Sequence, residues 1–158
     1  MKKILFILAV VLALAIVLPA SAAPRAPVGT RVNILIGAPA TVPAGAPFHV
    51  AHGWLFDPTE SVPARPIGRF GFELEIDGVP QTADFVQRER DTSTIPVTNT
   101  VRWVFNYPAG LTGTHTFTGY WLAPCQYGVD TGSIPGPCAN PREIVVVSTL
   151  SHTVTFTP

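Results

Sequence analysis

Four sets of side chains have types and spacings that could do chemistry. His49-Val50-Ala51-His52 sets two imidazoles three residues apart, the beginning of a metal site. That spacing joins two rings on a helix, but on a strand it sends them to opposite faces. Phe48 to Leu55 alternates like a strand, and a structural site needs four convergent ligands, so no metal is assigned. Internal, hydrogen-bonded or half-exposed histidines are the expectation. Asp130-Thr131-Gly132-Ser133 has the residues of a two-carboxylate peptide hydrolase. Such chemistry needs two aspartates sharing a proton, each on a turn after an apolar strand. Here one copy follows Gln126-Tyr127-Gly128, so a loop turn is expected. Glu73 and Glu75 would share the wet face of a strand and could imitate an acid–base pair, though solvated strand charges account for them. Cys125 and Cys138 are expected as a disulfide, because no further soft ligands stand near to complete a metal site. No nucleophile elbow, P-loop or dinucleotide fingerprint occurs, so neither a catalytic residue nor a cofactor is assigned.

The elements that position these residues are short strands. Gly113 to Trp121 is the clearest, with His115, Phe117, Gly119 and Trp121 on one face and Thr114, Thr116, Thr118 and Tyr120 on the other. Gly119 is expected to leave room for an indole from a neighbouring strand. Arg31 to Ile36 reads as a first strand, and Ala38 to Pro47 as a Pro/Gly/Ala stretch that can hug a sheet edge only. In the second strand, Phe48, Val50, His52 and Trp54 share a face, with Gly53 as a candidate bulge. Ile67 to Ile76 forms the third strand, and Asp77-Gly78 is a hairpin turn from which a fourth, Thr82 to Gln87, pairs back. Arg88 to Asn99 is polar and reads as irregular. Thr100 to Tyr107 is the fifth strand, and Glu143 to Phe156 the last, with a break expected near Ser148 to Ser151. Trp54, Trp103 and Trp121 fall on inward faces, while Tyr107, Tyr120 and Tyr127 are better placed for exposure. No long stretch has helical period, so the expected class is all-β, an antiparallel β-sandwich of about seven strands.

Ahead of these strands, Met1-Lys2-Lys3, an apolar run from Ile4 to Leu18 and Ala20-Ser21-Ala22 have the layout of a secretory signal peptide, residues 1–22. The competing reading is an uncleaved anchor, but the run is shorter than the roughly 20 residues that span a bilayer. Residues 23–30 read as a linker, leaving 31–158 as one domain. Both lysines lie in the signal, and eight arginines face ten carboxylates in the rest. That balance disfavours nucleic acid as a partner, since phosphate binding needs clustered positive charge. No later segment could cross a membrane as a helix. The expected location is secreted, extracellular or periplasmic.

Leu111-Thr112-Gly113-Thr114-His115-Thr116-Phe117 resembles the Asp-x-Gly-x-Tyr-x-Cys segment of immunoglobulin-like domains. His115 stands at the corner-tyrosine position and Phe117 at that of the inter-sheet cysteine. Thr41-Val42-Pro43-Ala44-Gly45 before an alternating strand is similar to bacterial secreted modules of that superfamily. The chain departs from the pattern in lacking the inter-sheet cysteine pair and a third-strand tryptophan, where Phe70 and Phe72 stand. The resemblance implies an immunoglobulin-like sandwich in which the loops after the second and sixth strands emerge at one end. These are Asp57 to Pro66, with Asp57, Glu60 and Arg65, and Pro124 to Pro141, with Tyr127 and Asp130; they are the expected binding loops. Two functions remain. One is a secreted non-catalytic module binding a protein, peptide or glycan, or serving a structural role. The other is a small secreted hydrolase or metalloprotein using His49 and His52 or Asp130.

Overall fold

The computed structural model describes residues 26–34, 41–56, 69–93 and 98–158. Its strands are β1 (Thr30–Val32), β2 (Val42–Pro43), β3 (Phe48–Phe56), β4 (Gly71–Ile76), β5 (Val79–Gln81), β6 (Phe85–Asp91), β7 (Thr98–Tyr107), β8 (Gly113–Pro124) and β9 (Ile144–Thr157). A short helix, α1 (Cys125–Asp130), joins the last two. The fold is all-β. Two sheets, β1-β3-β7-β6 and β2-β9-β8-β4-β5, turn their apolar faces toward one another over a shared core.

Period-two patterning places that core. Phe72, Leu74 and Ile76 of β4 and Phe117 and Trp121 of β8 are buried against Phe48, Val50 and Phe105 of the other sheet. Phe48 meets Phe117 edge-on at 6.2 Å between centroids and Phe156 at 5.0 Å. Phe117 is therefore a core anchor between the sheets. On the outer face of β8, threonines meet hydroxyls of β9: Thr114 lies 3.2 Å from Thr155 and Thr118 2.9 Å from Ser151, oxygen to oxygen. The β8–β9 ladder is irregular between Trp121 and Leu122, where Ser148 and Val146 are the partners. The last strand thus runs on through the expected break, with a bulge at Val147.

Several expectations change. The described strands number nine rather than about seven, and neither sheet is purely antiparallel, because β1 runs parallel to β3 and β2 parallel to β9. Parallel neighbours need a long connection, and residues 33–47 supply one between β1 and β3 while carrying β2 to the other sheet. Thr82 to Gln87 does not pair back onto the third strand. Val79–Gln81 does so, and the chain then changes sheets to put Phe85 opposite Val104. Arg88 to Asp91 and Thr98 to Asn99 are paired strand, not irregular. As an edge strand with exposed Arg88, Glu89 and Arg90, β6 has little apolar alternation to betray it. Gly53 sits in an unbroken β3–β7 register; a Cβ there would lie 2.0 Å from the Val101 carbonyl oxygen, so it marks a close approach rather than a bulge. Space beside Gly119 goes to Phe72 and Ile34, each 2.9 Å from where its Cβ would be, not to an indole. Tyr107 is half-buried, stacked on Phe48 at 4.6 Å, and burial raises its phenol pKa.

Residues 26–30 lie against β3 and β7. The Val28 amide donates to Asn106 Oδ1 (3.0 Å), His49 Nδ1 donates to the Val28 carbonyl (2.8 Å), and the Thr30 amide donates to the Pro47 carbonyl (3.2 Å). Residues 1–25, which include the expected signal peptide, lie outside the described residues.

Candidate functional site

Strand ends and a disulfide build the site. Cys125 opens α1 and is bonded to Cys138. The Cys125 amide donates to the Glu143 carbonyl (2.8 Å), and the Gln126 amide to that of Pro141 (3.2 Å), so the helix is tied to the segment leading into β9. Gly128 lets the helix approach closely: a Cβ there would lie 2.5 Å from Ile134 and 3.0 Å from Val147. Tyr127 packs edge-on against Trp54 (5.5 Å) and Phe70 (5.2 Å). Hence the ends of β3 and β8 lie together.

Trp54, Trp121 and Tyr127 form the aromatic wall of an open cleft of about 310 Å³. Val147 and Leu150 supply aliphatic surface, and Thr131, Ser133 and Ser148 supply hydroxyls. Both indoles are locked from behind. Trp54 Nε1 donates to the Gly71 carbonyl (2.8 Å) and Trp121 Nε1 to that of Gly53 (2.9 Å). Thr131 Oγ1 donates to the Tyr127 carbonyl (2.8 Å) and lies 3.1 Å from Ser133 Oγ. Among the described residues, no carboxylate, imidazole, ammonium or guanidinium lines the cleft. A separate depression of about 420 Å³ lies between Arg69 and Arg142, floored by Gly71 and Ile144.

The residues singled out from sequence scatter. Tyr127 is on the cleft wall. Asp130 ends α1, where its Oδ1 accepts from Gln126 Nε2 (2.7 Å), so its Asp-Thr-Gly-Ser run is a helix exit rather than a turn after an apolar strand. Asp57, Glu60 and Arg65 lie outside the described residues. His49 and His52 take opposite faces of β3. His49 bonds to Val28, while His52, 2% exposed, accepts the Ile34 amide at Nε2 (3.1 Å). Burial first, then the charges of Arg31 and Arg102, lower the His52 pKa to about 4. His52 is thus a neutral core histidine. Glu75 accepts the Tyr120 hydroxyl (2.8 Å), which raises the Tyr120 pKa. Among the described residues, no three of His, Cys, Asp and Glu converge as metal ligands.

At the opposite end, Asp77 and Gly78 take positive φ in the β4–β5 turn, at 53° and 77°. His115 Nδ1 lies 2.6 Å from Asp77 Oδ2, its Nε2 lies 2.9 Å from the Thr112 carbonyl, and Asp77 Oδ1 accepts the Thr116 amide (2.8 Å). This clip joins the turn to the start of β8.

Sequence reading missed Trp54 and Trp121 as site residues by assigning both to the core. Each is core along one edge and cleft wall along another. The readable signal was that both tryptophans stand near strand ends at the same end of the sandwich. Compared with family models, curated proteins and solved structures, the chain matches none.

Proposed function

We propose that the chain is an exported, non-catalytic immunoglobulin-like module that binds a ligand outside the cytoplasm, at its disulfide-clamped end. The observation that carries this reading is the cleft beside α1, with aromatic walls, locked indoles and open hydroxyls. Ligand sites are concave and mostly apolar, with a few placed polar groups. A wall held rigid before binding loses little entropy when a ligand arrives. The immunoglobulin-like part is supported by strand order. β1-β3-β7-β6 follows the four-stranded order of that sandwich and β4-β8-β9 the three-stranded one, with β2 and β5 added at the edges. His115 reaching back to the Thr112 carbonyl supports it too, since a corner tyrosine bonds to backbone a few residues upstream in the same way. A Cys125–Cys138 disulfide suits an oxidising compartment.

The test compares the two ends of the molecule. With a ligand found by screening glycans, peptides and surface extracts, Tyr127→Ala is expected to weaken binding and Asp77→Ala to leave it unchanged. Affinity lost with Asp77→Ala and kept with Tyr127→Ala would place the site elsewhere.

A further inference from the structure

We infer that the cleft takes a neutral sugar, a short segment of an uncharged oligosaccharide. This rests on reading the cleft as the ligand site and narrows the occupant from its lining. A pyranose ring has an apolar C–H face and a rim of hydroxyls that both donate and accept. The cleft offers the counterpart of each.

For the C–H face there are the half-buried rings of Trp54 and Tyr127, with Leu150 also lining the cleft. The indole N–H groups are already used on the Gly71 and Gly53 carbonyls. The tryptophans therefore present ring surface with no unmet donor, which suits C–H contact. For the hydroxyl rim there are Ser148, paired through its backbone in the β8–β9 ladder with its side chain at an exposed position, and the Thr131–Ser133 hydroxyl pair. A serine or threonine hydroxyl donates once and accepts twice, so the pair retains capacity for a ligand.

Charge argues against ionic ligands. A carboxylate, phosphate or ammonium drawn from water into this cleft would meet no opposite charge among the described lining residues, and desolvating an unpaired charge is costly. An acidic sugar would be drawn instead to the arginine-flanked depression, outside the cleft. The volume is at the small end of ligand pockets, a fit for a few rings rather than for a folded partner.

The experiment uses the disulfide-intact chain without its signal peptide. Probes are neutral gluco-, manno- and N-acetylglucosamine oligosaccharides, uronic acid oligosaccharides and apolar tripeptides, followed by calorimetry and tryptophan fluorescence. The expectation is that a neutral series binds, shifts tryptophan emission and keeps its affinity between low and high salt, because no charge is neutralised. Tyr127→Ala should weaken that binding about tenfold, the weight of one aromatic anchor. Ser148→Ala, an exposed position, should weaken it severalfold with unfolding unchanged. Silence of every neutral series overturns the inference, as does binding of uronic acid probes alone. A tripeptide bound in a Tyr127-dependent way while neutral sugars fail would also overturn it, yet leave the cleft as the ligand site. Neutral sugars bound equally by wild type and both variants would remove the cleft reading itself.

Discussion

His115 meets an acceptor at each ring nitrogen, the Asp77 carboxylate at Nδ1 and the Thr112 carbonyl at Nε2. Only an imidazolium can donate to both. The Asp77 hydrogen bond accordingly raises the His115 pKa; desolvation opposes it, and the Thr112 carbonyl and the Asp77 charge add to the rise. His115 and the Thr116 amide in turn hold the Asp77 carboxyl below its usual range. A raised histidine pKa gives stability that is complete below the unfolded value of about 6.5 and lost as pH rises through the folded value. A depressed Asp77 pKa gives stability present above the unfolded carboxylate value and lost as pH falls through the folded one. His52 has the opposite sign to His115: with a folded pKa of about 4, it costs stability as pH falls below about 6.5. The prediction is that His115→Gln destabilises near pH 6 and that its gap to wild type narrows toward pH 9, in thermal unfolding of the chain lacking residues 1–22. A gap of constant size would show that the fold leaves the His115 pKa unshifted. Sequence placed His115 at a corner position, but its Asp77 partner, 38 residues away, needed the hairpin to bring it close.

α1 is an element that local sequence hides. It has six residues, a glycine in its middle and a proline before it, and its N-cap makes no side-chain hydrogen bond. A helix this short is not stable by propensity. It persists because the Cys125–Cys138 bond closes its loop, Gly128 packs on Ile134 and Val147, and the segment before β9 accepts its first amides. The disulfide encloses this element but none of the β8–β9 ladder, whose last pair is Pro124 with Ile144. Replacing Cys125 and Cys138 together with alanine should cost about 2–4 kcal/mol in denaturant unfolding and retain the β-sheet circular dichroism. Loss of the sheet signal would mean that the sheets themselves depend on the ring. Tyr127 is carried by this helix, so the same variant should also weaken the neutral-sugar binding proposed for the cleft.

Ala20-Ser21-Ala22 after the apolar run is expected to be cut, so N-terminal sequencing of exported protein should begin at or near Ala23. A Met1 start would support the anchor reading. Residues 26–30, bonded to β3 and β7, would then be the first part of the product fixed to the fold. Alternation along β3, β4, β7 and β8 was enough to give the all-β class and the buried faces, the Asp-Gly dipeptide gave the turn at Asp77-Gly78, and two lone cysteines gave their pairing. Those features depend on residues close in the chain, or on the only two cysteines it has. Tertiary structure decided which strands share a sheet, the parallel edge pairs, the sheet change at residues 82–84 and the meeting of Trp54, Trp121 and Tyr127 around one cleft. Each of these depends on groups far apart in the chain, and period-two patterning shows which face a residue takes but not which strand will lie beside it.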